Sequence, residues 1–69
     1  MNIEHLVKMT NEIAAFFLGE SAHEQAAKDV AMHLKRYWDP RMRREIIAHH
    51  QAGGAGLSEL ALSAVALLG

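Results

Sequence analysis

The chain contains no cysteine. Disulfides, cysteine-ligated zinc and thiolate-held iron–sulfur clusters therefore lie outside its chemistry. Apolar runs such as Ala64–Leu68 fall far short of the roughly 20 residues a membrane-spanning helix needs. The N-terminus lacks the charged-then-apolar pattern of a secretory signal. Together with the missing cysteine, this leads to the expectation of a cytoplasmic protein. Proline, tryptophan and tyrosine occur once each. Basic residues are absent from the whole of 45–69. The net charge of −1 gives no global field that would draw the chain to nucleic acid or to a membrane.

A length of 69 residues bounds the chain to one small domain. Such a chain buries only about 60% of the surface its unfolded form exposes, so its stability is marginal. Half of the residues are hydrophobic, which argues against disorder. Twelve of them are alanine, a strong helix former that adds little burial. The larger apolar side chains must make the core, and a partner covering further apolar surface would add stability.

The sequence reads as helices throughout, with no strand signal and no internal repeat. Asn2 is placed to cap a first helix, with Glu4 in its first turn. Ile3, Leu6, Val7, Thr10, Ile13, Ala14 and Phe17 recur at spacings of three and four, so the first helix is expected over 3–18 and to end at Gly19. "SAHE", residues 21–24, has the form of a capping box, Ser21 serving Glu24 and Glu24 reaching back. The second helix is expected over 22–37, burying His23, Ala27, Val30, Ala31, Leu34, Tyr37 and Trp38. Pro40 disfavours helical geometry at Asp39. Asp39 is itself a good N-cap and proline suits the first helical position, so a third helix is expected over 40–51. Met42, Ile46, Ile47 and His50 line its apolar side, and Trp38 can staple its start. "GGAG", residues 53–56, reads as a helix stop and a flexible connection. Leu57 and Ser58 introduce a short last helix over 59–68, lined by Leu60, Ala61, Ala64, Val65 and Leu68, with a frayed end. The expected architecture is all-α: three amphipathic helices plus a short C-terminal one, in a single domain over 1–69.

The positive charge has one address. "KRYWDPRMRREI", residues 35–46, holds five of the seven Lys and Arg together with the single Trp, Tyr and Pro. Residues 1–34 carry five acidic and two basic groups. Arg41, Arg43 and Arg44 sit at the start of the third helix, the unfavourable end of its dipole, so a compensating group is expected: solvent, Asp39 and Glu45, or an acidic partner. A solvated face is the plain interpretation. An Arg cluster beside a Trp also has the composition of an interface hot spot. A helix–turn–helix is a further possibility, but a net negative chain is unlike most DNA-binding domains.

Other chemistry is thinly represented. His49 and His50 are adjacent and point about 100° apart on a helix. His5, His23 and His33 are scattered, and no metal-binding pair with a carboxylate occurs. The serines fall at caps or on the last helix. "GGAG" lacks the preceding strand and following lysine of a phosphate loop. Met9, Met32, Met42, Phe16, Phe17, Tyr37 and Trp38 are expected mostly in the core. Phe16 and Phe17, like Tyr37 and Trp38, are neighbours that cannot both face inward, so one of each pair is expected on an exposed apolar patch.

Three stretches carry a resemblance. "MNIEHLVKMTNEIAAFF", "HLKRYWDPRMRREIIAH" and "GGAGLSEL" resemble the delta subunits of NAD-dependent, molybdenum-containing formate dehydrogenases, over nearly the whole chain. The most specific part is Trp38 to Arg43 followed by Gly53 to Leu57. "ALSAVALLG" carries nothing diagnostic. The resemblance implies a non-catalytic accessory subunit that supports assembly or stability of the complex. It implies no catalytic, cofactor-binding or metal-binding residue in this chain. The alpha subunit would carry the molybdenum cofactor and iron–sulfur clusters, and beta and gamma subunits would carry FMN and further clusters. The expected partner is the alpha subunit, with beta and gamma in the same complex, rather than nucleic acid or membrane. The expected docking residues are Tyr37, Trp38, Asp39, Pro40, Arg41, Met42, Arg43 and Arg44. Two alternatives stay open: a small nucleic-acid-binding module using the Arg cluster, and a self-associating helical protein.

Overall fold

A computed structural model describes residues 2–69 of the chain, and its regular structure consists of four α-helices. They are α1 (Ile3–Leu18), α2 (His23–Tyr37), α3 (Pro40–Gln51) and α4 (Glu59–Leu68). The expected all-α architecture is what the chain adopts.

Side-chain caps set three of the four helix starts. Asn2 Oδ1 accepts from the Glu4 N–H at 2.8 Å. Asp39 Oδ1 accepts from the Met42 N–H at 2.9 Å, and Ser58 Oγ accepts from the Ala61 N–H at 3.2 Å. Each bond satisfies one of the donors that a helix start leaves without an intrahelical partner. The fourth start differs from expectation. The first helical bond of α2 runs from the Ala26 N–H to the Ala22 carbonyl, 2.8 Å. Ala22 is therefore the N-cap and makes no side-chain cap. Ser21 falls one residue outside the helix, and the expected box with Glu24 does not form. Packing fixes this register, because Ala26 and Ala27 must both point into the core.

The core is built around α4. Leu60, Ala61, Ala64 and Val65 are all 4% exposed or less. This helix packs most extensively against α2 and also touches α3 and α1. The short last helix, expected to have a frayed end, is thus the centre of the fold. Small residues make the close approach possible. Ala26 and Ala27 on α2 and Ala61 and Ala64 on α4 are all buried, so the two backbones draw together without large side chains between them. Leu6, Val30, Leu34 and Ile46 add bulk from the other three helices. Thr10 is the one buried polar side chain among the described residues, and its hydroxyl donates to the Leu6 carbonyl at 2.8 Å.

The expected buried stripe of α2 needs correction. His23 and Tyr37 are exposed, and Ala26 takes an inward position instead. His23 lies against the middle of α4, where its Nε2 meets Ser63 Oγ at 3.2 Å. The Ser63 hydroxyl also lies 3.2 Å from the Glu59 carbonyl, to which it can donate. Phe16 and Met32, expected in the core, are also exposed.

The "GGAG" connection is held rather than loose. Gly53 N–H donates to the His50 carbonyl and Gly54 N–H to the His49 carbonyl, which closes the end of α3. Asn11 on α1 then clasps the loop from the far end of the sequence. Its amide N donates to the Gly56 carbonyl and its Oδ1 accepts from the Ser58 N–H, both at 2.9 Å. His49 Nε2–H donates to the Ala55 carbonyl at 2.8 Å. Gly54 is buried at φ +66°, and a Cβ there would run into the Leu62 side chain.

Two substitutions test these local arguments. Ala22 already has the extended backbone of an N-cap, so Ala22→Asp is expected to stabilise the chain by about 1 kcal/mol. That corresponds to a rise in Tm of about 4–8 °C for a domain of this size, measured by thermal circular dichroism. Gly54→Ala is expected to act in the opposite direction by about 1–2 kcal/mol, because the left-handed backbone strains a residue with a Cβ. An unchanged melting curve for Gly54→Ala would contradict the assigned loop geometry.

Candidate docking surface

The corner between α2 and α3 is built by two reciprocal caps. Pro40 stops α2 from continuing, and Trp38 and Asp39 turn the chain in extended geometry at ψ 140° and 165°. Asp39 caps the start of α3. In return, Arg43 in the first turns of α3 reaches back to α2, where its guanidinium donates to the Lys35 carbonyl at 2.7 Å. This bond supplies the compensation that the Arg placement demanded. Arg43 is at the wrong end of α3 but at the right end of α2, where unpaired carbonyls carry the negative pole of the dipole.

The three arginines therefore do different things. Arg43 is half-buried and ties the corner. Arg41 is 77% exposed and lies 3.9 Å from Glu45, one turn along the same helix. That distance is an ion pair without a hydrogen bond, and the Glu45 Oε2 atom has no hydrogen-bond partner although no solvent reaches it. An exposed pair of this kind adds little stability. Arg44 is exposed and has no acidic group within ion-pair distance among the described residues.

On one side of the corner lies an apolar groove of about 600 Å³. Met9, Ile13, Phe16 and Phe17 of α1 form one wall, and His33, Tyr37, Trp38 and Met42 form the other. Among the described residues Glu12 is its only charged lining residue. Trp38 fills the floor at 6% exposed, whereas Tyr37 and Phe16 stand on the rim, each 68% exposed. Each pair of adjacent aromatics thus splits between an inner and an outer position, as helix geometry requires. Four rings run along the groove. Phe16 meets Phe17 edge-on at 5.1 Å, Phe17 meets His33 at 6.3 Å, and His33 meets Tyr37 at 4.8 Å. Of the eight docking residues expected from sequence, Tyr37, Trp38 and Met42 enter this groove. Asp39 and Arg43 are occupied within the corner, and Arg41, Arg44 and Pro40 stand outside the groove. The α1 wall was absent from the sequence expectation. Only the adjacent "FF" pair signalled it.

The helix–turn–helix possibility finds no support in the packing. Its two helices brace each other, whereas α2 and α3 make only marginal contact and α4 packs against both. Among the described residues no three His, Asp or Glu converge to hold a metal ion. Among the described residues no helix is long and apolar enough to cross a membrane.

The family model for the delta subunit of NADH-dependent formate dehydrogenase matches residues 5–65. The chain belongs to the formate dehydrogenase delta-subunit family. No curated protein and no solved structure matches it. The matched span contains the whole corner, both walls of the groove and the Asn11 clasp.

The different duties of the arginines lead to a direct comparison. In this delta-family chain Arg43→Ala should destabilise by about 1 kcal/mol, through the lost charge-assisted bond to the Lys35 carbonyl. Arg44→Ala should stay within about 0.5 kcal/mol of the parent. Urea titrations of the two variants separate them. Equal midpoints would mean that Arg43 does not hold the corner.

Proposed function

We propose that this chain is a non-catalytic accessory subunit of an NAD-dependent formate dehydrogenase complex. It supports assembly or stability of the subunit that bears the molybdenum cofactor, the alpha subunit, with beta and gamma subunits in the same complex. Family membership over residues 5–65 carries the reading. The chemistry of the chain agrees with it. There is no cysteine to hold an iron–sulfur cluster. The molybdenum cofactor, the clusters and FMN then belong to the partners, and the cytoplasm is the compartment in which this chain would meet them.

The docking surface in this reading is the α2–α3 corner from Tyr37 to Arg44 together with the aromatic groove beside it. Tyr37 and Phe16 are large, exposed and rigid, and they flank a concave apolar floor. Aromatic anchors of this kind dominate binding energy when a partner covers them. Trp38, Asp39, Pro40 and Arg43 hold the corner in shape. Met42 lines the groove, and Arg41 and Arg44 add charge at its edge.

The first test is recovery of the tagged chain from its native cells at moderate salt, with retained proteins identified by mass. The large iron–sulfur and molybdenum subunits are expected. Recovery of the chain alone, or of nucleic acid that salt removes, would defeat the reading. The double variant Phe16→Ala/Tyr37→Ala refines the result. Both side chains are mostly exposed, so the fold should be retained. Association should weaken by about 10- to 100-fold, as for the loss of two interface anchors. Full retention of the enzyme subunits by this variant would remove the groove from the interface.

A further inference from the structure

A second surface lies on the opposite side of α2. Lys28 and Lys35 are seven residues apart and so share one face of the helix, about 10 Å from end to end. Met32 lies between them and is 64% exposed. Leu67 of α4, 57% exposed, stands across from it. Together with Leu68 they line a shallow trough of about 250 Å³. The trough continues past Lys35 and Leu68 into a notch of about 290 Å³ at the start of α3, which adds Pro40, Arg43, Arg44 and Ile47. The result is one continuous seam along the outer edge of α2 and α4.

Its composition is one-sided. Lys28, Lys35, Arg43 and Arg44 line it, four of the seven basic residues of the chain, and no acidic residue does. The aromatic groove, by contrast, has Glu12 in its wall and no Lys or Arg. Among the described residues the only ion pair is Arg41–Glu45, so Lys28, Lys35 and Arg44 are not neutralised from within, while Arg43 is already engaged by the Lys35 carbonyl. Each is set beside an exposed or half-buried aliphatic side chain.

We propose that the α2–α4 seam binds an amphipathic helix of another formate dehydrogenase subunit, one that carries Asp or Glu beside bulky aliphatic residues at three- and four-residue spacing. The inference rests on the accessory-subunit reading and specifies the chemistry of the partner. The cations select the acidic groups, and Met32, Leu67 and Leu68 accept the aliphatic ones. A trough between two helices has the form in which a third helix lies by its apolar face. Single-stranded nucleic acid fits less well, because the seam offers no aromatic ring on which a base could stack. A flat membrane surface fits less well, because the apolar groups lie in a concave seam.

The test uses the assembled enzyme. Leu67 is replaced by photoreactive p-benzoylphenylalanine, and a second variant carries the same probe at Phe16. After illumination the joined peptides are identified by mass. The Leu67 probe is expected to join a segment of another enzyme subunit that bears acidic residues at helical spacing. Lys28→Glu/Lys35→Glu, two exposed positions, is expected to weaken association about tenfold or more and to flatten its salt dependence. Its thermal melt should match the parent. If the Phe16 probe joins the enzyme and the Leu67 probe does not, the seam is not an interface while the accessory reading stands. If neither joins and the chain elutes free of the enzyme, the accessory reading itself fails. Joining of the Leu67 probe to a second copy of the chain, or to a segment without acidic residues, overturns the assigned partner. So does binding of the parent, lost in the double variant, to a single-stranded oligonucleotide or to phosphatidylglycerol vesicles.

Discussion

The close approach of α2 and α4 is the constraint on which the rest depends. A chain of this size has few large apolar side chains, so it cannot fill a wide space between helices. It solves this by placing alanines where the two helices face each other, which brings the backbones together and lets Val30, Leu34, Leu60 and Val65 close the core around them. Once α4 is central, α1 and α3 can each complete the core from their own sides. The α2–α3 corner then hardly needs direct packing between those helices. Two caps, Asp39 to Met42 and Arg43 to Lys35, are enough to set its angle.

What this arrangement leaves outside is as informative as what it buries. The small-residue core covers one side of α2. The remaining surface of that helix is apolar at Tyr37 and Met32 and basic at Lys28, Lys35 and Arg36. Exposed aromatic and aliphatic groups at this density in so small a chain fit a subunit whose surface is completed by neighbours. The two faces differ in kind. One is an aromatic groove with a single acidic residue in its wall, the other an aliphatic seam framed by cations.

The helices themselves were legible because helix physics is local. A periodicity of three and four identified the inward faces of α1, α3 and α4, and Asn2, Asp39 and Ser58 marked starts through bonds that span two or three residues. What depended on distant parts of the chain was not legible. The Asn11 clasp joins residues 45 and 47 positions apart. Nothing around Asn11 in the sequence distinguishes it from a solvated helix residue. The centrality of α4 was hidden for a related reason: an apolar stripe shows which side of a helix is buried, not how many neighbours bury it. The Ser21 cap failed because tertiary packing of Ala26 and Ala27 outweighed a local motif. The α2–α3 corner was legible as a place, since its turn and its charges are contiguous in sequence. The division of labour among Arg41, Arg43 and Arg44 was not, because it rests on which backbone carbonyl lies within reach.

The position of α4 also bears on when the fold can form. It is the last of the four helices to be synthesised, yet it supplies the middle of the core. While the first three helices emerge from the ribosome, α2 has α1 to pack against but lacks its most extensive neighbour, and Asn11 has no loop to clasp. Domains generally fold as units during synthesis. The core of this chain is complete only when α4, as far as Val65, is present. Until then the part of the apolar face of α2 that α4 covers stays open, although α1 already packs against both α2 and α3.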